Sequence, residues 1–206
     1  MNEPVRYKIA LLGDSLVGKT CFFRKLDKGI FSDSLPTIGI DAITLFFNDI
    51  KIEDNVTKNF EITLLDTAGQ ERYKSIIKQY YINSDALILM YDIAKFASFE
   101  NLQIWLDSIQ EYYDDLNLVM LLGNKLDLEE NREVRKEQPE SLLKEKGLYP
   151  GGEISAKTFS LEKCRNIIID FVKHIYSKIG IIKERQSNYL EVSPKENNVK
   201  KKNKCC

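Results

Sequence analysis

The sequence predicts an α/β fold, with one mostly parallel sheet of six strands, one antiparallel edge strand, and helices on both faces. Two observations lead to this prediction. Short apolar segments, such as 86–92 and 116–122, alternate along the chain with longer segments of helical periodicity. Two β-rich segments, 42–53 and 56–65, are separated only by an Asp-Asn turn, which is typical of a hairpin. The alternation favours parallel strands, and the hairpin adds the antiparallel strand.

The elements follow in chain order. An apolar strand is expected over 7–12, and helix-forming residues extend from 18 to 26. After the hairpin and the strand at 86–92, apolar residues recur at helical spacing over 98–113, where Ser98 is a candidate N-cap. A charged helix is expected over 136–146, and a final helix with one apolar face over 161–179.

The length of 206 residues suits one folded domain, which we place at 1–182, followed by a tail at 183–206. Asn, Lys, Glu and Pro dominate the tail, so we expect it to be disordered. The formal net charge is -1, but the tail carries seven Lys or Arg against three Glu. The folded part is therefore acidic overall, which argues against nucleic-acid binding.

Cysteine usage and the N-terminus bound the cellular setting. Two cysteines are isolated and two are adjacent at the C-terminus, a pattern that suits neither a disulfide framework nor a zinc site. A reducing, cytosolic setting is the simplest interpretation. The first residues contain no signal-peptide core and no glycine at position 2, and the apolar segments are shorter than the ~20 residues that span a bilayer.

A glycine-rich loop follows the first predicted strand and leads into the first predicted helix. Residues 13–20, Gly-Asp-Ser-Leu-Val-Gly-Lys-Thr, match G-x-x-x-x-G-K-[ST] in the context that this pattern requires. Backbone N–H groups of such a loop surround phosphate oxygens, and Lys19 adds a full positive charge. The Thr20 hydroxyl is a candidate Mg²⁺ ligand; the alternative is a glycine turn that matches by chance. The other expected phosphate-binding positions are Ser15, Leu16, Val17, Gly18 and Cys21.

A second polar segment, Asp-Thr-Ala-Gly-Gln at 66–70, follows the second hairpin strand. The carboxylate of Asp66, at a strand end beside the loop, can hold Mg²⁺ through bound water. Gly69 lets the backbone approach a γ-phosphate, and Gln70 is placed to orient an attacking water. A solvated loop glutamine is the alternative for Gln70. Together with the glycine-rich loop, the segment predicts hydrolysis of a nucleoside triphosphate.

Two further segments predict the base. Asn-Lys-Leu-Asp at 124–127 ends the strand at 116–122, and Ser-Ala-Lys at 155–157 follows the next strand. Asp127 can accept the N1–H and 2-amino hydrogen bonds of guanine, whereas adenine would leave this carboxylate without partners. Asn124 can tie the loops together, and the stem of Lys125 can cover the base. The Ser-Ala-Lys segment at 155–157 can offer a backbone N–H to the guanine carbonyl. The expected guanine-binding residues are Asn124, Lys125, Asp127, Ser155, Ala156 and Lys157. GTP and GDP are the expected substrate and product, with Mg²⁺ as cofactor.

With these motifs, the chain resembles the Ras superfamily of small GTPases and, within it, the Rab branch, over roughly 5–182 and the terminal cysteines. Thr-Ile-Gly-Ile-Asp at 37–41 resembles switch I, and Asp-Thr-Ala-Gly-Gln-Glu-Arg-Tyr at 66–73 resembles switch II. Met-Tyr-Asp-Ile at 90–93 and Ser-Phe-Glu-Asn-Leu at 98–102 with Trp105 also resemble Rab sequence. The resemblance implies the P-loop GTPase fold, Thr37 as a Mg²⁺ ligand in the GTP state, and Phe31 packed on the guanine; a partly buried loop aromatic is the alternative for Phe31.

Several positions depart from the family pattern. Leu16 stands where a small residue is usual, and it would be strained there if the position requires a positive φ. Thr37 lies one residue closer to Lys19 than expected, so switch I is shortened. Ala42 and Leu65 replace two aromatic residues of the surface that effectors contact in Rabs. We therefore expect a retained nucleotide site and effectors unlike those of the better-known members.

The resemblance implies a switch that cycles between a GTP-bound, membrane-active state and a GDP-bound state and regulates vesicle traffic. Residues 31–41 contain no arginine that could neutralise charge in the transition state, so intrinsic hydrolysis should be slow. The implied partners are a GTPase-activating protein that supplies the arginine, a guanine nucleotide exchange factor, a GDP dissociation inhibitor or Rab escort protein, and effectors of both switches. The protein is expected to be a monomer.

The chain ends in Cys205 and Cys206, after a segment with four lysines at 200–204. The resemblance implies geranylgeranyl groups on both cysteines. Two lipid chains give stable anchoring where one is marginal, and the lysines attract anionic lipid. We expect the protein on the cytoplasmic face of an intracellular membrane, with a cytosolic pool; a merely solvated basic tail is the alternative.

Two other function classes remain open at this point. One is a GTP-binding module with impaired hydrolysis that acts as a regulatory scaffold, because Leu16 and the shortened switch I could disable turnover. The other is a P-loop kinase or metabolic ATPase, which Asp127 and the lack of a lid or acceptor-binding insertion disfavour.

Overall fold

The computed structural model describes residues 3–32, 39–53, 56–67, 82–113 and 115–180, and a six-stranded sheet forms its centre. The strands are β1 (Val5–Leu12), β2 (Ile40–Glu53), β3 (Val56–Thr67), β4 (Ala86–Asp92), β5 (Val119–Asn124) and β6 (Tyr149–Glu153). Their order across the sheet is β2-β3-β1-β4-β5-β6. β2 runs antiparallel to β3 at one edge, and every other neighbouring pair is parallel. The predicted α/β architecture is confirmed.

The described part of the chain contains five α-helices. They are α1 (Lys19–Lys28), α2 (Phe96–Glu100), α3 (Leu102–Gln110), α4 (Glu137–Lys146) and α5 (Leu161–Ile175). Short 3-10 segments cover Leu116–Leu118 and Leu126–Asn131, and a π-helical turn covers Tyr176–Gly180. Within the ranges given above, no helix combines the length and the apolar character needed to cross a bilayer.

Side chains of β1 alternate between two hydrophobic cores, one on each face of the sheet. Ile9 and Leu11 belong to the first core, which α1 and α5 cover with residues such as Phe22 and Phe171. Ala10 and Leu12 belong to the second core, which α3 covers with Trp105, Leu106 and Ile109. α1 and α3 therefore lie on opposite faces, and the loop between β1 and α1 passes between them.

Several boundaries differ from the sequence prediction, and the single helix expected over 98–113 is divided into α2 and α3. The strand expected from 116 begins at Val119, because the Asp115 carboxylate accepts the Asn117 N–H at 2.9 Å and caps a 3-10 turn. Ser98 is not an N-cap: α2 begins at Phe96, and the Ser98 hydroxyl accepts the Asp92 N–H at 3.0 Å inside the helix. α5 gives way to the π-helical turn after Ile175 rather than continuing to 179.

Other predictions stay open. The hairpin turn at 54–55 and the tail at 183–206 lie outside the described residues. The domain boundary at 182 also remains a prediction, because the described chain ends at 180.

Candidate nucleotide site

The predicted motifs in the described chain follow strand ends along one edge of the sheet. β1 ends at the glycine-rich loop, β3 at Asp66 and Thr67, β5 at Asn124, and β6 just before Ser155. These four strands are parallel, so their carboxyl ends meet at one edge, where open α/β sheets bind ligands.

Two glycines of the phosphate loop, 13–20, are required by their surroundings. Gly13 has φ 129°, and a Cβ there would lie 2.2 Å from the Met90 carbonyl oxygen. Gly18 has φ 97°, and a Cβ there would lie 2.2 Å from Nδ2 of Asn124. Gly18 precedes α1 and has no side chain to cap the N–H groups of the first turn. The loop backbone can therefore approach its neighbours closely and present a helix N-terminus to an anion.

Leu16 occupies the left-handed region, with φ 68°, and its side chain is 60% exposed. A branched side chain is strained in this conformation. The sequence predicts strain at Leu16 if this position requires a positive φ, and the backbone has one. The strained residue lies within the loop expected to bind phosphate.

Lys19 is almost completely buried, with 5% of its surface exposed. Its ammonium donates to the carbonyl oxygens of Gly13 at 2.8 Å and Asp14 at 2.7 Å. These bonds use two of the three lysine donors and hold the charge against the loop. Burial lowers the pKa of Lys19 to about 8, while Asp66 and Asp14 act to raise it. An anionic ligand at this position would favour the charged ammonium.

Thr20 and Asp66 form the part of the predicted metal site that the structure describes. The Thr20 hydroxyl donates to Oδ2 of Asp66 at 2.6 Å. Asp66 is fully buried, and its Oδ1 has no hydrogen-bond partner within 3–32, 39–53, 56–67, 82–113 and 115–180. Burial raises the pKa of this carboxyl, against the opposing effects of Thr20 and Lys19. A hydroxyl beside a buried carboxylate, one oxygen of which accepts no hydrogen bond from the described residues, suits a hard cation and its water ligands, so these residues fit Mg²⁺.

Asn124 joins the phosphate loop to the two base-recognition segments. Its Nδ2 donates to the Val17 carbonyl at 2.9 Å, and its Oδ1 accepts the Ala156 N–H at 3.1 Å. Asn124 is itself buried at the end of β5. One side chain thus links the region expected to bind phosphate to the region expected to bind the base.

The base-recognition segments are also joined directly. The Ser155 hydroxyl donates to Oδ1 of Asp127 at 2.5 Å, and the Leu126 N–H donates to the Ile154 carbonyl at 2.9 Å. Asp127 is exposed at this edge, as a ligand-binding carboxylate must be. Lys157, two residues after Ser155, lies in the turn that follows β6 and is exposed.

Lys125 has a partner that the sequence prediction did not anticipate. Its ammonium pairs with Oδ2 of Asp92, at the end of β4, at 2.7 Å. Asp92 is buried, while the Lys125 side chain is one-third exposed. The ion pair fixes the charged end of Lys125, so its aliphatic stem is held at the rim of the candidate site.

Sequence reasoning missed two groups beside the site. Arg132 pairs with Glu129 and Glu153 and thereby joins the end of the Leu126–Asn131 segment to β6. Asp14 accepts hydrogen bonds from Asn101 and Trp105 of the α2–α3 region. Apart from Glu129, which is three residues from Arg132, these partners lie 21 to 91 residues away along the chain, so no local pattern could have revealed those contacts.

The remaining predicted residues divide into two groups. Cys21 lies in the first turn of α1, where its thiol donates to the Ser32 carbonyl at 3.6 Å, and Phe31 is half-buried just after α1. Ser15 lies in the loop and is half-buried. Thr37, Gly69, Gln70, Cys205 and Cys206 lie outside the described residues.

The two substituted positions of the expected effector surface pair with each other. Ala42 of β2 lies opposite Leu65 of β3. Leu65 is buried in the second core and Ala42 is exposed, so this part of the β2–β3 sheet surface carries no aromatic ring from either position.

Comparison with known proteins shows the family to which this chain belongs. A model of the Ras family matches residues 8–177. Ras-related protein Rab-26 from Bos taurus is 43% identical over 156 residues, which are 75% of this chain and 58% of that protein. Ras-related protein Rab-37 from Homo sapiens is 43% identical over 153 residues, 73% of this chain and 66% of that protein. GTP-binding protein YPTM1 from Zea mays is 33% identical over 207 residues, 97% of this chain and 95% of that protein. The chain thus spans less than two-thirds of the length of the Rab-26 and Rab-37 proteins.

Proposed function

The chain belongs to the Ras family of small GTPases and, within it, to the Rab group, and from this premise we propose that it is a guanine-nucleotide switch that hydrolyses GTP. The main support is the framework around Asn124, which joins the phosphate loop to the segments at 124–127 and 155–157. Lys19, the Thr20–Asp66 pair and Asp127 lie along this sheet edge, and their chemistry suits phosphate, Mg²⁺ and guanine, respectively. A nucleotide whose two ends match these groups is the ligand that fits the arrangement.

Guanine specificity is tested by competition among nucleotides. The full chain, with Mg²⁺, is expected to bind GTP at least about 100-fold more tightly than ATP, because guanine offers Asp127 two N–H donors and adenine offers it neither. Asp127→Ala should remove most of this preference while leaving ATP binding unchanged. Glu130→Ala is the matched control, since Glu130 is an exposed carboxylate three residues along the same segment. Equal competition by ATP and GTP against the unaltered chain would refute guanine recognition.

Each group has a distinct part in the proposed hydrolysis. Lys19 neutralises charge on the phosphates, and Thr20 with Asp66 would hold Mg²⁺, which supplies further neutralisation of that charge when bound. Gln70 orients the attacking water. Since 31–41 contains no arginine, the chain lacks a cationic group that is worth about 10³–10⁵ in rate in related reactions.

Single-turnover hydrolysis of bound GTP tests this assignment. We expect the unaltered chain to hydrolyse GTP much more slowly than about 1 s⁻¹ and Gln70→Leu to slow it further. Unaided turnover at or above about 1 s⁻¹ would contradict the need for an activating protein. The control is nucleotide affinity, which Gln70→Leu should leave unchanged.

Leu16 favours a second candidate function, a GTP-binding module that hardly hydrolyses its ligand. This strained, exposed side chain lies in the phosphate loop, where a small residue would leave more room. If Leu16 obstructs the reaction, Leu16→Gly will raise the single-turnover rate, and Gln70→Leu will have no effect in the unaltered chain. If Gln70→Leu lowers the single-turnover rate and Leu16→Gly leaves it unchanged, the result supports the GTPase rather than the binding module.

Membrane attachment is proposed through the terminal cysteines. Two prenyl groups on Cys205 and Cys206, with the adjacent lysines, would anchor the switch to an anionic cytoplasmic membrane surface and support a role in vesicle traffic. A tagged full chain should fractionate with membranes in its own cells, and Cys205→Ser with Cys206→Ser should release it. Unchanged fractionation of this double variant would refute lipid anchoring.

Regulators and effectors are proposed by class. A slow, tightly binding switch requires an exchange factor, an activating protein, and a GDP dissociation inhibitor or escort protein. Because Ala42 and Leu65 remove aromatic contacts from the β2–β3 surface, we expect effectors that differ from those of common Rabs. A GTP-state pull-down that returns mainly common Rab effectors would contradict this expectation.

A further inference from the structure

Asp14, the second residue of the phosphate loop, places a carboxylate in a loop that the proposed function assigns to phosphate binding. A negative side chain near a bound polyphosphate would oppose binding through simple Coulomb repulsion. The loop must therefore direct this side chain away from the ligand. The hydrogen bonds of Asp14 show where it is directed.

Two donors hold the Asp14 carboxylate, one on each oxygen. The indole N–H of Trp105 donates to Oδ1 at 3.0 Å, and the Asn101 amide donates to Oδ2 at 2.6 Å. Asn101 immediately precedes α3, and Trp105 lies one helical turn further along. Both donors therefore come from the same end of the same helix.

The donors are rigidly placed. Trp105 is only 5% exposed and packs in the second core with Leu102 and Leu106. The Asn101 carbonyl accepts the Ile104 and Trp105 N–H groups, which fixes its backbone at the start of α3. Since α1 covers the first core, on the opposite face of the sheet, the carboxylate is drawn toward the α3 side of the loop and away from the α1 N-terminus.

The same residue also orients the phosphate-binding lysine. The Asp14 carbonyl accepts from the Lys19 ammonium at 2.7 Å, so the position of the Asp14 backbone sets the position of this charge. Anchoring the side chain on α3 thus restrains both the unfavourable carboxylate and the favourable ammonium.

We propose that Asn101 and Trp105 are positioning residues for nucleotide binding, which hold the Asp14 carboxylate on the α3 side of the phosphate loop. This inference rests on the proposed function, because it concerns the loop that the nucleotide phosphates would occupy. Without the two donors, the carboxylate turns toward the phosphates, and nucleotide release becomes faster and sensitive to salt.

The chain contains a single tryptophan, so its intrinsic emission reports this hydrogen bond directly. Asp14→Ala removes the carboxylate beside the indole and is expected to shift the emission maximum of Trp105. An unchanged emission spectrum would show that the hydrogen bond is absent in solution and would overturn the inference.

The decisive measurement is GDP release from the full chain at low and high ionic strength. Trp105→Phe keeps the buried ring and removes the donor, and we expect release to be about tenfold faster at low salt. High salt screens the repulsion, so the difference should shrink to about threefold or less. Asn101→Ala should act in the same direction. Gln103→Ala is the control, since the Gln103 amide also donates to a carboxylate, that of Asp107, on the exposed face of α3.

A neutral partner separates positioning from packing. In an Asp14→Asn background there is no carboxylate to restrain, so Trp105→Phe should change GDP release by less than about twofold. An equal, salt-independent effect of Trp105→Phe in both backgrounds would overturn the inference, because it would reflect packing alone. A chain that does not retain GDP in preference to ADP would instead refute the proposed function itself. The two failures are thus distinguishable.

Discussion

Arg132 is the residue whose loss should most clearly disturb the base-recognition edge. Its guanidinium donates to both carboxylate oxygens of Glu153 at 2.8 and 2.6 Å and to the Val134 carbonyl at 3.0 Å. It also pairs with Glu129, and these contacts raise the pKa of Arg132, chiefly through Glu153. Arg132 follows the segment that bears Asp127, and Glu153 ends β6. Arg132→Ala therefore removes a side-chain link between the two elements and leaves the Leu126–Ile154 and Ser155–Asp127 hydrogen bonds.

The expected cost follows from how much of the pair is exposed. The side chains of Arg132 and Glu153 are 12% and 20% exposed, so the pair lies between surface ion pairs, at about 0–1 kcal/mol, and buried pairs, at about 3–5 kcal/mol when one partner is removed. We expect Arg132→Ala to lower the free energy of unfolding by about 2 kcal/mol. For a domain of this size, that corresponds to a midpoint about 4 to 8 °C lower.

Thermal unfolding of the GDP-bound full chain, at fixed GDP and Mg²⁺, measures this loss. Arg132→Lys keeps the charge without the two-pronged geometry and should lose about half as much. Arg135→Ala is the control, because Arg135 is an exposed arginine three residues along the chain. In a double-mutant cycle with Glu153→Gln, the two losses should be strongly non-additive. Equal midpoints for the Arg132→Ala and Arg135→Ala variants, or additive losses in the cycle, would refute the reasoning.

Three further predictions concern the phosphate loop. Leu16→Asn should raise the free energy of unfolding by about 0.5–1 kcal/mol, because asparagine tolerates the left-handed region. Urea unfolding measures this gain. As a control, the same substitution at exposed Ile30 should change the free energy of unfolding by less than about 0.5 kcal/mol. Since burial lowers the pKa of Lys19 to about 8 and phosphate favours its charged form, binding must take up a proton above that pH. GDP affinity should therefore be flat with respect to Lys19 below about pH 8 and fall by up to tenfold per pH unit above it, and Lys19→Met should abolish this slope. Gly18→Ala should destabilise the chain by about 2 kcal/mol in urea, because its Cβ would strike the Asn124 amide at a strained φ; an unchanged midpoint would mean that the two loops are not in contact.

Much of the fold follows from the order of elements in the sequence. Apolar segments alternating with helices predict parallel strands, and their carboxyl ends must meet at one edge. This geometry explains why Asn124 and Ser155, 31 residues apart, are brought close enough for Asn124 to contact Ala156. The location of the candidate site could therefore be predicted from the order of strands and helices.

Local competition explains where the sequence prediction was wrong. Residues 116–118 are mostly apolar and suit a strand, but the Asp115 carboxylate captures the Asn117 N–H and forms a 3-10 turn. Ser98 suits an N-cap by residue type, yet its hydroxyl is used by the Asp92 N–H and the Lys95 carbonyl. Each side chain can form hydrogen bonds with several nearby backbone groups, and the tertiary structure determines which of these groups is within reach.

The supporting contacts of the site were beyond sequence reasoning for a different reason. Trp105 fits its helix as an ordinary core residue, and only the three-dimensional position of Asp14 gives its indole a second role. Each motif, by contrast, is recognised because its chemistry is contained within a few consecutive residues. Motifs therefore predict the groups that would contact a ligand, whereas the residues that hydrogen-bond to those segments, such as Asn101, Trp105 and Arg132, become visible only in the folded chain. The pattern of residues thus predicts the class of ligand, and the packed structure shows how firmly the predicted residues are held.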